Sequence, residues 1–294
     1  MGRLEEALKL FERTLADRER ILGTEHPDTQ TSRNNLADAY RTVGRTAEAI
    51  ELLEQVLTDR ERLLGTDHPD TLTCRNNLAG AYRAAGRLGE AITLLERTLA
   101  DRERVLGPDH PHTLQSCNNL AGAYQAVGRF GEAIELDERT LADRERALGP
   151  DHPTTLTSRN NLAGTYGAAG RTAEAITLFE RTLADRERVL GTDHRDTLTS
   201  RINLAGTYGA AGRTAEAITL FERTLADRER VLGTDHPDTL TSRNNLVGAY
   251  QAAGRTTEAI EMLEQILADF ERILGPEHPD TGIVRNALRS RRES

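Results

Sequence analysis

The 294-residue sequence has no tryptophan, one lysine, two cysteines and only 4 per cent aromatic residues. Each scarcity excludes something. With six tyrosines and five phenylalanines, one large globular core is hard to fill. Leu, Ala, Ile and Val must instead pack in thin layers, as when each helix pair buries its face on the next. The single lysine, Lys9, has no glycine-rich loop around it. That excludes a Walker-type phosphate loop and nearly excludes Schiff-base catalysis. The arginine excess is what a GC-rich bacterial genome produces. Cys74 and Cys117 replace a Ser and an Arg at non-equivalent places, so neither a disulfide framework nor a metal-ligand pair is indicated, and a reducing cytoplasm is the expected location. No apolar run approaches a signal core or a membrane span. The net charge of −9 is made of intermixed Glu, Asp and Arg, without an acidic tail or basic arm, which argues against nucleic acid as a partner.

What is present is a period. His26, His68, His110, His152, His194, His236 and His278 lie 42 residues apart, as do Tyr40, Tyr82, Tyr124, Tyr166, Tyr208 and Tyr250. Seven such periods equal the chain length, so an elongated array is expected rather than two globular domains. Residues 154–195 and 196–237 differ at three positions: Thr154 against Asp196, Asn160 against Ile202, and Arg195 against Pro237. Arg195 interrupts the His-Pro-Asp pattern, which predicts a slightly looser turn there.

Within one copy, Pro69 and Asp70 open a helix A that runs to about Ala85, and Gly86 fits a left-handed cap. Helix B starts near Leu88 and ends at Gly107. Thr46, Thr172, Thr214 and Thr256 are the expected N-caps of the corresponding B helices. Leu72, Leu78, Ala79 and Tyr82 occupy one arc of helix A, with Asn76, Asn77 and Gly80 opposite. Ala91, Ile92, Leu95, Leu99 and Leu106 form the apolar stripe of helix B.

Asn-Asn-Leu-Ala-x-x-Tyr, Gly-Arg, Glu-Ala-Ile and Leu-Gly-x-x-His-Pro-Asp-Thr together resemble the 42-residue tetratricopeptide repeat of kinesin light chains and their bacterial relatives, over essentially the whole chain. The resemblance implies an all-α, right-handed superhelical solenoid of antiparallel helix pairs. It would be one repeat domain over 1–294, with an orphan helix B at 2–22, six pairs over about 28–274 and an orphan helix A at 280–291. It also implies a non-enzymatic protein- or peptide-binding scaffold, whose A helices line a concave groove that holds an extended segment. Mapped by position, that groove carries Asn34, Asn35, Asn76, Asn77, Asn118, Asn119, Asn160, Asn161, Asn203, Asn244 and Asn245, with Arg41, Arg83 and Gln125 farther along the same face. Ile202 leaves a gap in the ladder, and the N-terminal half of the groove is expected to be the more basic.

The residues support such a face independently, because a side-chain amide pairs with a peptide N–H and C=O whatever the sequence. The alternative is that these amides bridge neighbouring helices. Equivalent histidines two helices apart are roughly 16–20 Å distant, too far to share a metal, so each reads as a residue fixing the turn between copies. No cofactor, metal, membrane or catalytic group is expected, since every candidate is copied along the array. Arg33, Arg75, Arg159, Arg201 and Arg243 point toward the packed arc, where an aliphatic stem can lie among apolar neighbours and the head can meet an acid. At the ends, Leu4, Leu8 and Phe11 and Ile283, Val284 and Leu288 are expected to be bared. Head-to-tail self-association would cover them; the other reading is a repeat segment taken from a larger signalling protein.

Overall fold

A computed structural model describes residues 2–292, with side chains from Glu5 onward. Among these residues it holds fourteen α-helices and no strand. In order they are α1 (Gly2–Leu22), α2 (Pro27–Thr42), α3 (Thr46–Leu64), α4 (Pro69–Ala84), α5 (Leu88–Leu106), α6 (Pro111–Ala126), α7 (Phe130–Leu148), α8 (Pro153–Ala168), α9 (Thr172–Leu190), α10 (Arg195–Ala210), α11 (Thr214–Leu232), α12 (Pro237–Ala252), α13 (Thr256–Ile273) and α14 (Pro279–Arg292). Even-numbered helices are A helices and odd-numbered ones B helices, and together they make an all-α repeat solenoid.

Local chemistry fixes every boundary. Each A helix opens on a histidine whose Nδ1 accepts the backbone N–H two residues later at 3.1–3.3 Å, which satisfies a donor the helix itself cannot pair. The turn before Arg195 is not looser. His194 keeps φ −66° and ψ 140° and the same bond at 3.1 Å, because the histidine makes the cap and Arg reaches a helical φ freely. At the other end, Arg45 N–H donates to the Tyr40 carbonyl at 2.8 Å and Gly44 N–H to the Arg41 carbonyl at 3.2 Å, with Gly44 at φ +80°. This is the two-bond closure that needs glycine in the left-handed region.

The expected threonine caps are displaced by one residue. Thr46, Thr172, Thr214 and Thr256 are the first helical residues, and Arg45, Arg171, Arg213 and Arg255 hold the cap position without a side-chain cap bond. The arginine side chain is engaged elsewhere. Arg45 stacks 4.2 Å over the Tyr40 ring and donates to Glu48 Oε1 at 2.6 and 2.8 Å. The Tyr40 hydroxyl in turn donates to Glu12 of the preceding B helix at 3.0 Å.

The chain divides into two compact halves, ending at Ala147 and beginning at Leu148. In the first, Ile50, Leu53 and Val56 pack with Leu78 and Ala81, and Leu95 and Leu99 pack with Leu120, Ala121 and Leu136. In the second, Phe179 packs with Ala163 and Leu204, and Phe221 with Leu246, Tyr250 and Leu263. Each such large side chain contributes about 1.5–3 kcal/mol on burial.

The polar part of the core belongs to arginine. Arg75 is fully buried, donating to Glu61 Oε1 at 2.6 and 3.1 Å and to Asp101 Oδ2 at 2.8 Å, so it joins the B helix before it to the B helix after it. Arg201 repeats this with Glu187 and Asp227 at 2.9 and 2.6 Å. A second set on the B helices grips the start of the following A helix. Arg102 donates to the His112 carbonyl at 2.7 Å and to Ser116 Oγ at 2.8 Å. Burial pulls the pKa of Arg102, Arg186 and Arg228 down.

The terminal helices are less bare than expected. Val284 and Leu288 are buried in one cluster with Leu263, because α13 already covers that face of α14. Leu8 is buried with Leu15 and Leu36, and Leu4 lies outside the described side chains. Phe11 and Ile283 stay exposed, at 40% and 65%.

Candidate functional site

In the first half, the A helices α2, α4 and α6 bring their asparagines to one cavity of about 390 Å³. Asn34 and Asn35 come from α2, Asn76 and Asn77 from α4, and Asn119 from α6. Leu53 and Leu95 of the B helices behind add apolar surface, and Asp38, Arg41, Gly80 and Arg83 lie farther along α2 and α4. The helix period places them together, since residues three and four apart share a face.

The amides have unequal roles. Asn35 and Asn77 are exposed and make no hydrogen bond within the protein among the described residues. Asn76 is buried, and its Oδ1 accepts from Asn119 Nδ2 at 3.0 Å, tying α4 to α6. Asn34 Nδ2 donates to the Gln30 carbonyl at 3.3 Å. The Oδ1 atoms of Asn34 and Asn118 are buried without a partner. Asn118 and Gln125 do not line the cavity.

Its charges are also unequal. Arg41 donates to Asp38 Oδ1 at 2.6 and 3.2 Å. Arg83 occupies the same place one copy later, but its partner position is Gly80, and it forms no ion pair among the described residues. Its guanidinium lies along α6, where a Cβ on Gly122 would come within 3.2 Å of Nη1. Asp38 is the only acid lining the cavity, and Arg41 already neutralises it.

The second half repeats the bridge but not the charges. Asn160 Oδ1 accepts from Ser200 Oγ at 3.1 Å and from Asn203 Nδ2 at 3.5 Å. Ile202 packs against the apolar core. Asn244 is exposed, Asn161 and Asn245 are half-buried, and Gly167 and Gly209 stand where Arg41 and Arg83 stand earlier. Sequence reasoning missed Asp38 and Leu53; it placed Gly80 on this face and Leu95 on the stripe of helix B, without reading either as lining a cavity. The available signal was Asp38 itself, the one acid at a repeat position that is glycine at 80, 122, 164, 206 and 248.

The adjacent pair His110 and His112 has ring centroids 5.4 Å apart, but His110 Nδ1 already serves the cap of α6. Among the described residues no group of three or more His, Cys, Asp or Glu side chains could hold a metal, and no helix is long and apolar enough to cross a membrane.

The sequence matches the family model described as tetratricopeptide repeat in seven overlapping stretches, from 1–62 through 244–288. Among solved structures it is similar to a kinesin light chain with nearly identical tetratricopeptide-like repeats from Podospora anserina, at 38% identity and a TM-score of 0.63, over 70% of this chain and 97% of that one. BtubC from P. vanneervenii matches with 24% identity and a TM-score of 0.65, over 80% of this chain and 94% of that one. A Rap protein crystallised with Competence and Sporulation Factor matches with 12% identity and a TM-score of 0.53, over 99% and 86%. These last two show likeness of fold alone. No curated protein matches.

Proposed function

The chain belongs to the tetratricopeptide repeat family, and from that premise we propose that it is a non-enzymatic scaffold that binds an extended peptide or protein segment on the face of its A helices. The observation that carries this reading is the cavity formed by asparagines of three successive A helices, in which Asn35 and Asn77 are exposed and keep their hydrogen-bonding capacity unused within the protein. An amide so placed can donate to a peptide carbonyl and accept from a peptide N–H, which gives grip without dictating side chains. Leu53 and Leu95 add an apolar contact surface. The complex of a Rap protein with Competence and Sporulation Factor is consistent with a binding role for this fold.

The test is binding of an immobilised peptide library to the wild type and to an Asn35→Ala, Asn77→Ala variant. Both side chains are exposed, so helicity and melting are expected to be unchanged. Selected peptides should lose at least about tenfold in affinity on the variant, the cost of several lost hydrogen bonds. Equal binding by both proteins would remove this face from consideration.

A further inference from the structure

Repetition lets each copy be checked against the others, and the third departs from them in two buried places. Arg33, Arg75, Arg201 and Arg243 each span a Glu fourteen residues back and an Asp twenty-six residues on, tying the B helix before to the B helix after. The third copy has Cys117 there, with no charge to offer Glu103 or Asp143. Glu103 is met by Arg139 of α7, whose side chain is half exposed, and Asp143 by Arg146 of its own helix at 2.9 Å. Where Arg75 makes a fully buried tie, α5 and α7 share a solvated pair, and such pairs add little.

The second departure lies in the apolar layer. Leu53, Leu95, Phe179, Phe221 and Leu263 occupy one position of the B helices, and all are buried. In the third copy that position is Asp137, equally buried at 3% exposure. Even when hydrogen-bonded, a buried carboxylate contributes less than well-packed hydrocarbon in its place. Both departures fall on the helix pair α6 and α7.

In a solenoid each copy touches only its neighbours, so one weak copy can open while the others stay folded. We propose that α6 and α7 form the joint at which this solenoid opens first, because the third copy lacks both the buried arginine tie and the apolar side chain found elsewhere. The joint stands independently of what the A-helix face binds.

The protein carries its own probes. Cys74 lies in the arginine-tied second copy and Cys117 in the third, and both are buried, so each thiol reacts only after its surroundings open. On the full native chain, with each rate normalised to its value in the urea-unfolded protein, iodoacetamide should label Cys117 at least about tenfold faster than Cys74. Hydrogen exchange should be faster in α6 and α7 than in α4 and α5 before them and α10 and α11 after them, which separates a local opening from fraying at either end. Asp137→Leu should slow the labelling of Cys117 at least about fivefold and leave Cys74 unchanged. Cys117→Arg should slow exchange in α6 and α7 alone. Far-ultraviolet circular dichroism checks that each variant is folded, and should Cys117→Arg fail to fold, the wild type and Asp137→Leu still decide. Equal normalised labelling of the two thiols, an exchange profile with no maximum at α6 and α7, or an Asp137→Leu effect shared by Cys74 would each overturn the joint.

Discussion

The two halves use one framework for two different surfaces. Arg75 and Arg201 are buried alike between acids on flanking B helices, and Asn76 and Asn160 accept alike from the next A helix. On the outward face the charged positions differ. The first half carries Asp38, Arg41 and Arg83 around a polar cavity, whereas the second carries Ile202, Gly167 and Gly209. The recurring buried residues, Arg75 and Asn76 among them, tie the helices together. The charged positions of the A helices are what differ between the halves.

The largest test of that division is removal of the shared framework. Arg75→Ala and Arg201→Ala should each destabilise by ~3 kcal/mol, near the low end for breaking a buried pair because the stranded acids are partly solvated. Urea unfolding should show similar losses for both, and a much smaller loss at Arg201 would mean the halves are not built alike. A sharper contrast lies on the A helices. Asn160→Ala leaves Ser200 and Asn203 without their shared acceptor and should cost about 1–2 kcal/mol. Asn77→Ala should stay within about 0.5 kcal/mol, since its amide faces outward.

The smallest effect is one the halves should share. Burial, and then acceptance of each hydroxyl by Glu54, Glu96, Glu180 or Glu222, pushes Tyr82, Tyr124, Tyr208 and Tyr250 up to about 12. A folded pKa above the unfolded value of about 10 gives stability that is complete below the unfolded value and lost as pH rises through the folded one. Spectrophotometric titration should therefore find these tyrosines ionising near pH 12 in the folded protein, or together with alkaline unfolding. Ionisation of all four near pH 10 in the folded state would show that the hydroxyl contacts do not persist in solution.

The helices and their glycine ends were legible because each depends on residues close in sequence; the histidines were legible as turn residues, and their capping bond was not. The inward arginines were legible as well, from the helical period alone. Their partners were not, since Glu61 and Asp101 lie on different B helices. The third copy makes the point. Cys117 replaces the arginine, and Glu103 is met instead by Arg139, a residue of α7 whose Nη2 lies 2.8 Å from that carboxylate. No spacing rule announces that substitution.

The candidate site divides along the same line. The sequence by itself determined the period, the helix pairs and the face on which the asparagines and arginines fall, because helical geometry converts spacing directly into direction. Only the tertiary structure decided that Asn76 is spent on Asn119, that Arg41 is spent on Asp38 and that Arg83 forms no ion pair among the described residues. Whether a polar group is satisfied depends on which atoms lie within about 3 Å of it, and packing between helices sets that distance.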